Sequence, residues 1–225
     1  MQRDKKFLQL IIFFFLAIII TSCLNYDQIT VIKTDNSGKM FIHYWMKMDT
    51  DLDSLLQTKL GVFNKDSLKN NFTASFINQK YANVYNNFND STLHAQIEFE
   101  FSYFDSLNLL KFFKHAELSV KDGDDDTKIF SQFIQPITTS FGLYNKEFHI
   151  EYIYYLPGEI ISHNANSKFR NKLTWSFNVD NLGPGKVITA TYIPFRLKET
   201  PKWIYILAGL VIIIVLIFLL RKNKK

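Results

Sequence analysis

A single cysteine, Cys23, follows Ile20, Thr21 and Ser22, the small-residue approach to the thiol of a bacterial lipobox. The thiol is the chemical requirement of that motif. Its sulfur is alkylated with a diacylglyceryl group, the peptide is cut before the cysteine, and the freed amine is acylated, palmitate being one such group. Two or three acyl chains then hold Cys23 in a bilayer. Arg3, Lys5 and Lys6 precede residues 7–20, a 14-residue apolar run broken only by Gln9. These are the charged and hydrophobic regions of a signal peptide, and the run is short for a span. Residues 1–22 are therefore expected to be a lipoprotein signal peptide. The alternative is an uncleaved signal anchor with a chance cysteine.

Other groupings that could do chemistry are weaker. With Asp122 as position one of a calcium loop, the run Asp122, Asp124, Asp125 and Asp126 puts Thr127 where an EF-hand needs glycine and Phe133 where it needs glutamate. A solvated hairpin tip is expected instead. His43, His94, His115, His149 and His163 lack the short spacings of metal ligands. His94 and His149 fall on the polar faces of strands and are expected to be exposed. Neither a nucleophile elbow, a P-loop nor a dinucleotide glycine fingerprint is found, and lipidation removes Cys23 as a nucleophile. A protein that is not an enzyme, with no cofactor and no metal, is the expectation.

The segment 203–220 holds 18 residues without a charge and is followed by Arg221, Lys222, Lys224 and Lys225. At 1.5 Å per residue it covers about 27 Å, close to a bilayer's hydrocarbon thickness. Trp203 and Tyr205 suit the outer interface, the basic tail 221–225 suits the cytoplasmic end, and Pro201 suits the start of a helix. A transmembrane helix is expected. The predicted organisation is then an extracytoplasmic domain at 23–202, anchored to the cytoplasmic membrane by lipid at Cys23 and by the helix, with a cytoplasmic C-terminus.

Of 26 basic residues, three precede Cys23 and four follow residue 220, leaving 19 in the domain against 20 acidic ones, since Asp4 also precedes Cys23. The basicity belongs to the tails, and the domain offers no footprint for nucleic acid. With its one cysteine committed to lipid, the domain must be held by a core rather than by disulfides.

The elements follow from hydrophobic period. Residues 26–33 and 39–48 read as a hairpin around Asp35, Asn36, Ser37 and Gly38. Leu52, Leu55, Leu56 and Leu60 fit a helix, and Leu68, Phe72 and Phe76 fit a second one starting at Asp66. Strands are expected at 81–88, 93–103, 147–155, 173–179 and 187–193, a short helix at 105–115, and a hairpin from 118–120 and 128–134. The fold class is α+β, a predominantly antiparallel sheet with a few inserted helices, in one domain.

Cys23 followed by Tyr26, Asp27 and a strand, then Asp35, Asn36, Ser37, Gly38 and Lys39 and a second strand, resembles the opening of the LppM-type bacterial lipoprotein domain. Leu156, Pro157, Gly158 and Glu159, then Ile160 to Ala165, and Leu173, Thr174 and Trp175 resemble that family's proline-glycine turn, asparagine loop and tryptophan strand. The resemblance implies an envelope lipoprotein with a mixed sheet-and-helix domain, no established enzymatic activity, and a role in handling lipids or glycolipids.

Some strands are apolar on both faces. Met40, Ile42, Tyr44, Met46 and Met48 alternate with Phe41 and Trp45, and Phe148, Ile150, Tyr152 and Tyr154 with Ile153 and Tyr155. One reading is a sheet covered on both sides. The other is a recess for acyl chains, lined by soft and aromatic side chains, with Trp45, Tyr152, Tyr154 and Trp175 as its candidate residues. The expected function is a membrane-anchored envelope lipoprotein that binds a lipid or glycolipid. A doubly tethered scaffold that docks another envelope protein is the alternative.

Overall fold

The computed structural model describes residues 24–47, 63–135, 149–195 and 202–222. Cys23, the signal segment and the helix expected around Leu52 to Leu60 lie outside them. Two units are compact in themselves: one ends at Pro194 and the other runs from Phe195.

Alternation builds the first unit. Strands β1 (Leu24–Ile32) and β2 (Gly38–Lys47) form the expected antiparallel hairpin. Its turn is held by Asp35, whose carboxylate accepts from the Ser37 amide (3.0 Å) and hydroxyl (2.7 Å). Those bonds pull the Asp35 pKa below the usual carboxylate range. A Cβ on Gly38 would stand 2.1 Å from the Val31 carbonyl oxygen, so the residue that re-enters the ladder has to be glycine.

Helix α1 (Lys65–Asn71) starts where Asn64 accepts from the Asp66 and Ser67 amides, both at 3.0 Å, and Asp66 complements the first turn. It buries Leu68, and the Phe72 that ends it packs 5.1 Å from Phe99. Phe76 lies past the helix rather than on its stripe. Strands β3 (Ile77–Asn87) and β4 (Thr92–Phe101) follow, and Leu93, Ala95, Ile97, Phe99 and Phe101 all point inward as their alternation predicts. Tyr103, beyond the strand, is exposed.

The helix expected at 105–115 is two 3-10 turns, Asp105–Leu109 and Lys111–Phe113. Asp105 and Asn108 spend their side chains on the Val120 amide and on both backbone groups of Leu118, tying the first turn to the next strand instead of extending a helix. Strands β5 (Ser119–Asp122) and β6 (Lys128–Ile134) form the expected second hairpin. Its acidic tip is closed by Gly123 and Thr127, and Lys128 reaches Asp122 at 2.5 Å. Then come β7 (His149–Tyr155), β8 (Gly158–His163), β9 (Ser167–Phe169), β10 (Lys172–Asn178), the single turn α2 (Val179–Leu182) and β11 (Lys186–Pro194).

The result is a mixed α+β domain, mostly sheet and mostly antiparallel. It has two sheets, ordered β3-β4-β2-β1-β7-β10-β9 and β5-β6-β11-β8. Among the described residues, β1 with β7 is the one parallel pairing. The chain between those two strands builds β2 to β6, the kind of long crossover that parallel neighbours require. The sheets meet through Phe130 of β6, whose ring lies 4.4 Å from Tyr154 and 5.9 Å from Trp175.

The second unit is the helix α3 (Lys202–Lys222), 21 residues long. Its side chains are described from 203 to 216, apolar throughout apart from the Trp203 indole N–H and the Tyr205 hydroxyl and, except for half-covered Gly209, exposed. That run is shorter than a span, and among the described residues no helix is long and apolar enough to cross a membrane.

Candidate functional site

Register decides which aromatic residues can share a site. Directly paired residues stand on one face, and Trp175 pairs with Tyr152, Leu173 with Tyr154, Tyr152 with Gln28 and Tyr154 with Thr30. Through β1, that inner face continues to Tyr44, Ile42 and Met40 of β2. Trp45 has the opposite parity. The structure therefore brings Tyr152, Tyr154 and Trp175 together and puts Trp45 on the outer face of the same sheet. Tyr154 and Trp175 are 0% and 1% exposed and meet edge to face at 6.0 Å under Phe130. They are filled core, without a free surface for a ligand.

Open space begins beside them. A cleft of about 300 Å³ lies between the two sheets, with Leu24, Tyr26, Gln28, Ile150 and Tyr152 on one wall and Gln132, Phe133, Ile134 and Gln135 on the other. Phe112, Phe113 and Ala116 close one side. Its floor is a buried polar ladder. The Tyr26 hydroxyl donates to Gln28 Oε1 (2.9 Å), and Gln28 Nε2 donates to Thr30 Oγ1 (3.2 Å) and to the Tyr154 hydroxyl (2.8 Å). Tyr154 in turn donates to Gln132 Oε1 through a very short bond.

Burial, reinforced by neighbouring tyrosines, pushes the Tyr26 and Tyr154 pKa values up, and burial alone does so at Tyr152. All three hydroxyls stay protonated. The site is thus apolar-walled with a few convergent uncharged polar groups, the usual make-up of a small-molecule pocket. A second hollow, around Lys33, Phe76 and Glu100, is polar, and its Glu100 already pairs with Lys80 at 2.9 Å.

The outer face holds a different cluster. His43 Nε2 and His94 Nδ1 are 2.9 Å apart, Thr92 Oγ1 is 2.7 Å from His94 Nε2, and Trp45 and Tyr85 stack on the two imidazoles at 4.5 and 4.8 Å. His94 is therefore buried, contrary to the expectation of an exposed polar face, because rings from β2 and β3 cover it. Among the described residues no group of three His, Cys, Asp or Glu is placed to hold a metal.

Burial lowers the His43 pKa to about 4, aided by the adjacent His94, and burial also lowers that of His94 against the opposing pull of Asp90. Below about pH 6.5, the ordinary histidine value, the unfolded chain takes up protons that the folded pair refuses. Stability should accordingly fall as pH drops from about 6.5 towards 4. The melting temperature measured across that window should flatten in a His43→Gln, His94→Gln double variant. An unchanged slope would contradict the assignment.

Sequence reasoning missed Gln28 and Gln132, the two polar groups that shape the cleft. A signal was there. Gln132 shares its parity with Phe130 and Ile134, and Gln28 with Tyr26 and Ile32, so each is a polar residue at a core position of an alternating strand. Buried amides of that kind need partners.

No family model matches the chain, and no curated protein sequence matches it. Among solved structures, the chain is similar to the NMR structure of the folded domain of the Mycobacterium tuberculosis LppM protein. The TM-score is 0.49 with 12% identity, over 79% of this chain and 95% of that one.

Proposed function

We propose that the domain binds the acyl chain of a lipid or glycolipid in the cleft between its two sheets. The observation that supports this reading is the cleft itself, about 300 Å³ with apolar walls and a hydrogen-bonded amide and tyrosine floor. The binding residues are then Tyr26, Gln28, Gln132, Ile150 and Tyr152, with Tyr152 alone kept from the four aromatic residues that the sequence suggests. The reading is one of binding, with no catalytic step.

The proposal extends to location: an envelope lipoprotein acylated at Cys23, with α3 crossing the cytoplasmic membrane and the domain outside the cytoplasm. The largely apolar, exposed run of α3 from 203 to 216 and the basic Arg221, Lys222, Lys224 and Lys225 support the span.

Full-length protein in phosphatidylcholine nanodiscs should take up a fluorescent acyl probe, and Ala116→Leu, which extends a side chain into the cleft, should block uptake while circular dichroism stays unchanged. Uptake that ignores Ala116→Leu would contradict the site. A scaffold that docks another envelope protein is the second reading, favoured by the exposed Leu109 and Phe169. It would take over if the folded protein captured no acyl probe.

A further inference from the structure

The cleft floor can be counted group by group. The Tyr154 hydroxyl already accepts from Gln28 Nε2, so its own proton goes to an acceptor, and that turns Gln132 Oε1 towards it. The Gln132 amide nitrogen is left facing elsewhere. Gln132 is 2% exposed, and its two N–H groups have no partner among the described residues. The Tyr152 hydroxyl, on a residue 8% exposed, has none either. Both side chains line the cleft. Buried donors are rarely left unmatched, because the desolvation they suffer is then uncompensated.

The charge of the lining narrows what can match them. No Lys, Arg, His, Asp or Glu lines the cleft among the described residues. An ionised carboxylate or phosphate brought to that floor would lose its water without meeting a cation. An uncharged carbonyl oxygen loses far less and accepts from both donors. Size points the same way: at a water's share of roughly 30 Å³ per group, the volume holds about ten non-hydrogen groups, a carbonyl and part of an acyl chain.

We propose that the cleft selects uncharged acyl esters, with the ester carbonyl accepting from Gln132 Nε2 and the Tyr152 hydroxyl and the chain lying along Leu24, Ile150 and Phe113. This rests on the acyl-binding reading above and adds the chemistry of the polar end. Before binding, water occupies the donors; the ester oxygen displaces it.

The test is displacement of the fluorescent acyl probe from the full-length protein in nanodiscs at pH 7.5, by monooctanoylglycerol and by octanoate. The ester should compete at a concentration roughly tenfold or more below the acid. Tyr152→Phe removes only the unmatched hydroxyl, so it should leave the melting temperature level or higher while weakening the ester roughly three- to tenfold. Gln132→Met is the second variant and should weaken the ester in the same direction; because it also removes the acceptor of the buried Tyr154 hydroxyl, its melting temperature should fall.

Equal or better competition by octanoate would overturn the selectivity and leave acyl binding standing. Full ester preference in both variants would overturn the assignment of the donors. Failure of the wild-type protein to take up the probe at all would overturn both readings.

Discussion

Trp175→Ala should destabilise the domain by about 3–5 kcal/mol, the usual cost of removing a buried large aromatic side chain. In a domain of this size that is a fall of roughly 6–20 °C in melting temperature. Trp175 is 1% exposed, its ring touches Tyr154 and Phe130 across the sheet interface, and its indole Nε1 donates to Asn164 Oδ1 at 2.8 Å. The same Asn164 oxygen accepts from the Thr189 amide, and its side-chain nitrogen donates to the Val187 carbonyl. The tryptophan therefore ties the first sheet to the second by packing and by a polar staple. Trp175→Phe keeps most of the packing and loses the staple, and should cost about 1–2 kcal/mol. Equal losses in the two variants, measured by denaturant unfolding, would mean that the ring does not fill the interface.

The second large effect concerns Cys23. Cys23→Ser should abolish incorporation of labelled palmitate and leave a longer precursor, because on the proposed reading the thiol carries the diacylglyceryl group and its alkylation is the signal for cleavage. Equal labelling of wild type and variant would refute the lipobox. Membrane fractionation should survive the substitution, since α3 remains, and only further removal of residues 203–225 should release the domain. A reporter active only outside the cytoplasm should work when inserted at Asp124 and fail after Lys225. The reverse pattern would contradict the topology.

Much of the sheet was legible because alternation is a local signal. The inward Leu93, Ala95, Ile97, Phe99 and Phe101 and the pair Trp175 and Phe177 follow from a period of two, and the β1–β2 and β5–β6 hairpins follow from their turn residues. What failed was long-range. The parallel β1–β7 pairing joins strands separated by most of the domain, and no local pattern encodes it.

Trp45 was misplaced for a related reason. Both faces of β2 carry aromatic side chains, and hydropathy alone does not say which face is core. The polar residues do: His43 and Trp45 share a parity with Lys39 and Lys47, which marks their face as the outer one. The recess expected at Tyr154 and Trp175 is packed core in the structure. Residues large enough to line a recess are also large enough to fill it, and Phe130, which decides between these outcomes at Tyr154, comes from the other sheet. A charge at position 154 would accordingly report on folding and not on ligand uptake.

An acyl chain held between the sheets would be caught there by photo-crosslinking: full-length protein in nanodiscs is irradiated with a monoacylglycerol bearing a diazirine near the end of its chain, and the modified peptides are mapped by mass spectrometry. Label on Phe112, Phe113 or Ile150, lost in Ala116→Leu, is the result predicted. Label confined to α3, with none on the cleft residues, would rule out an acyl chain between the sheets.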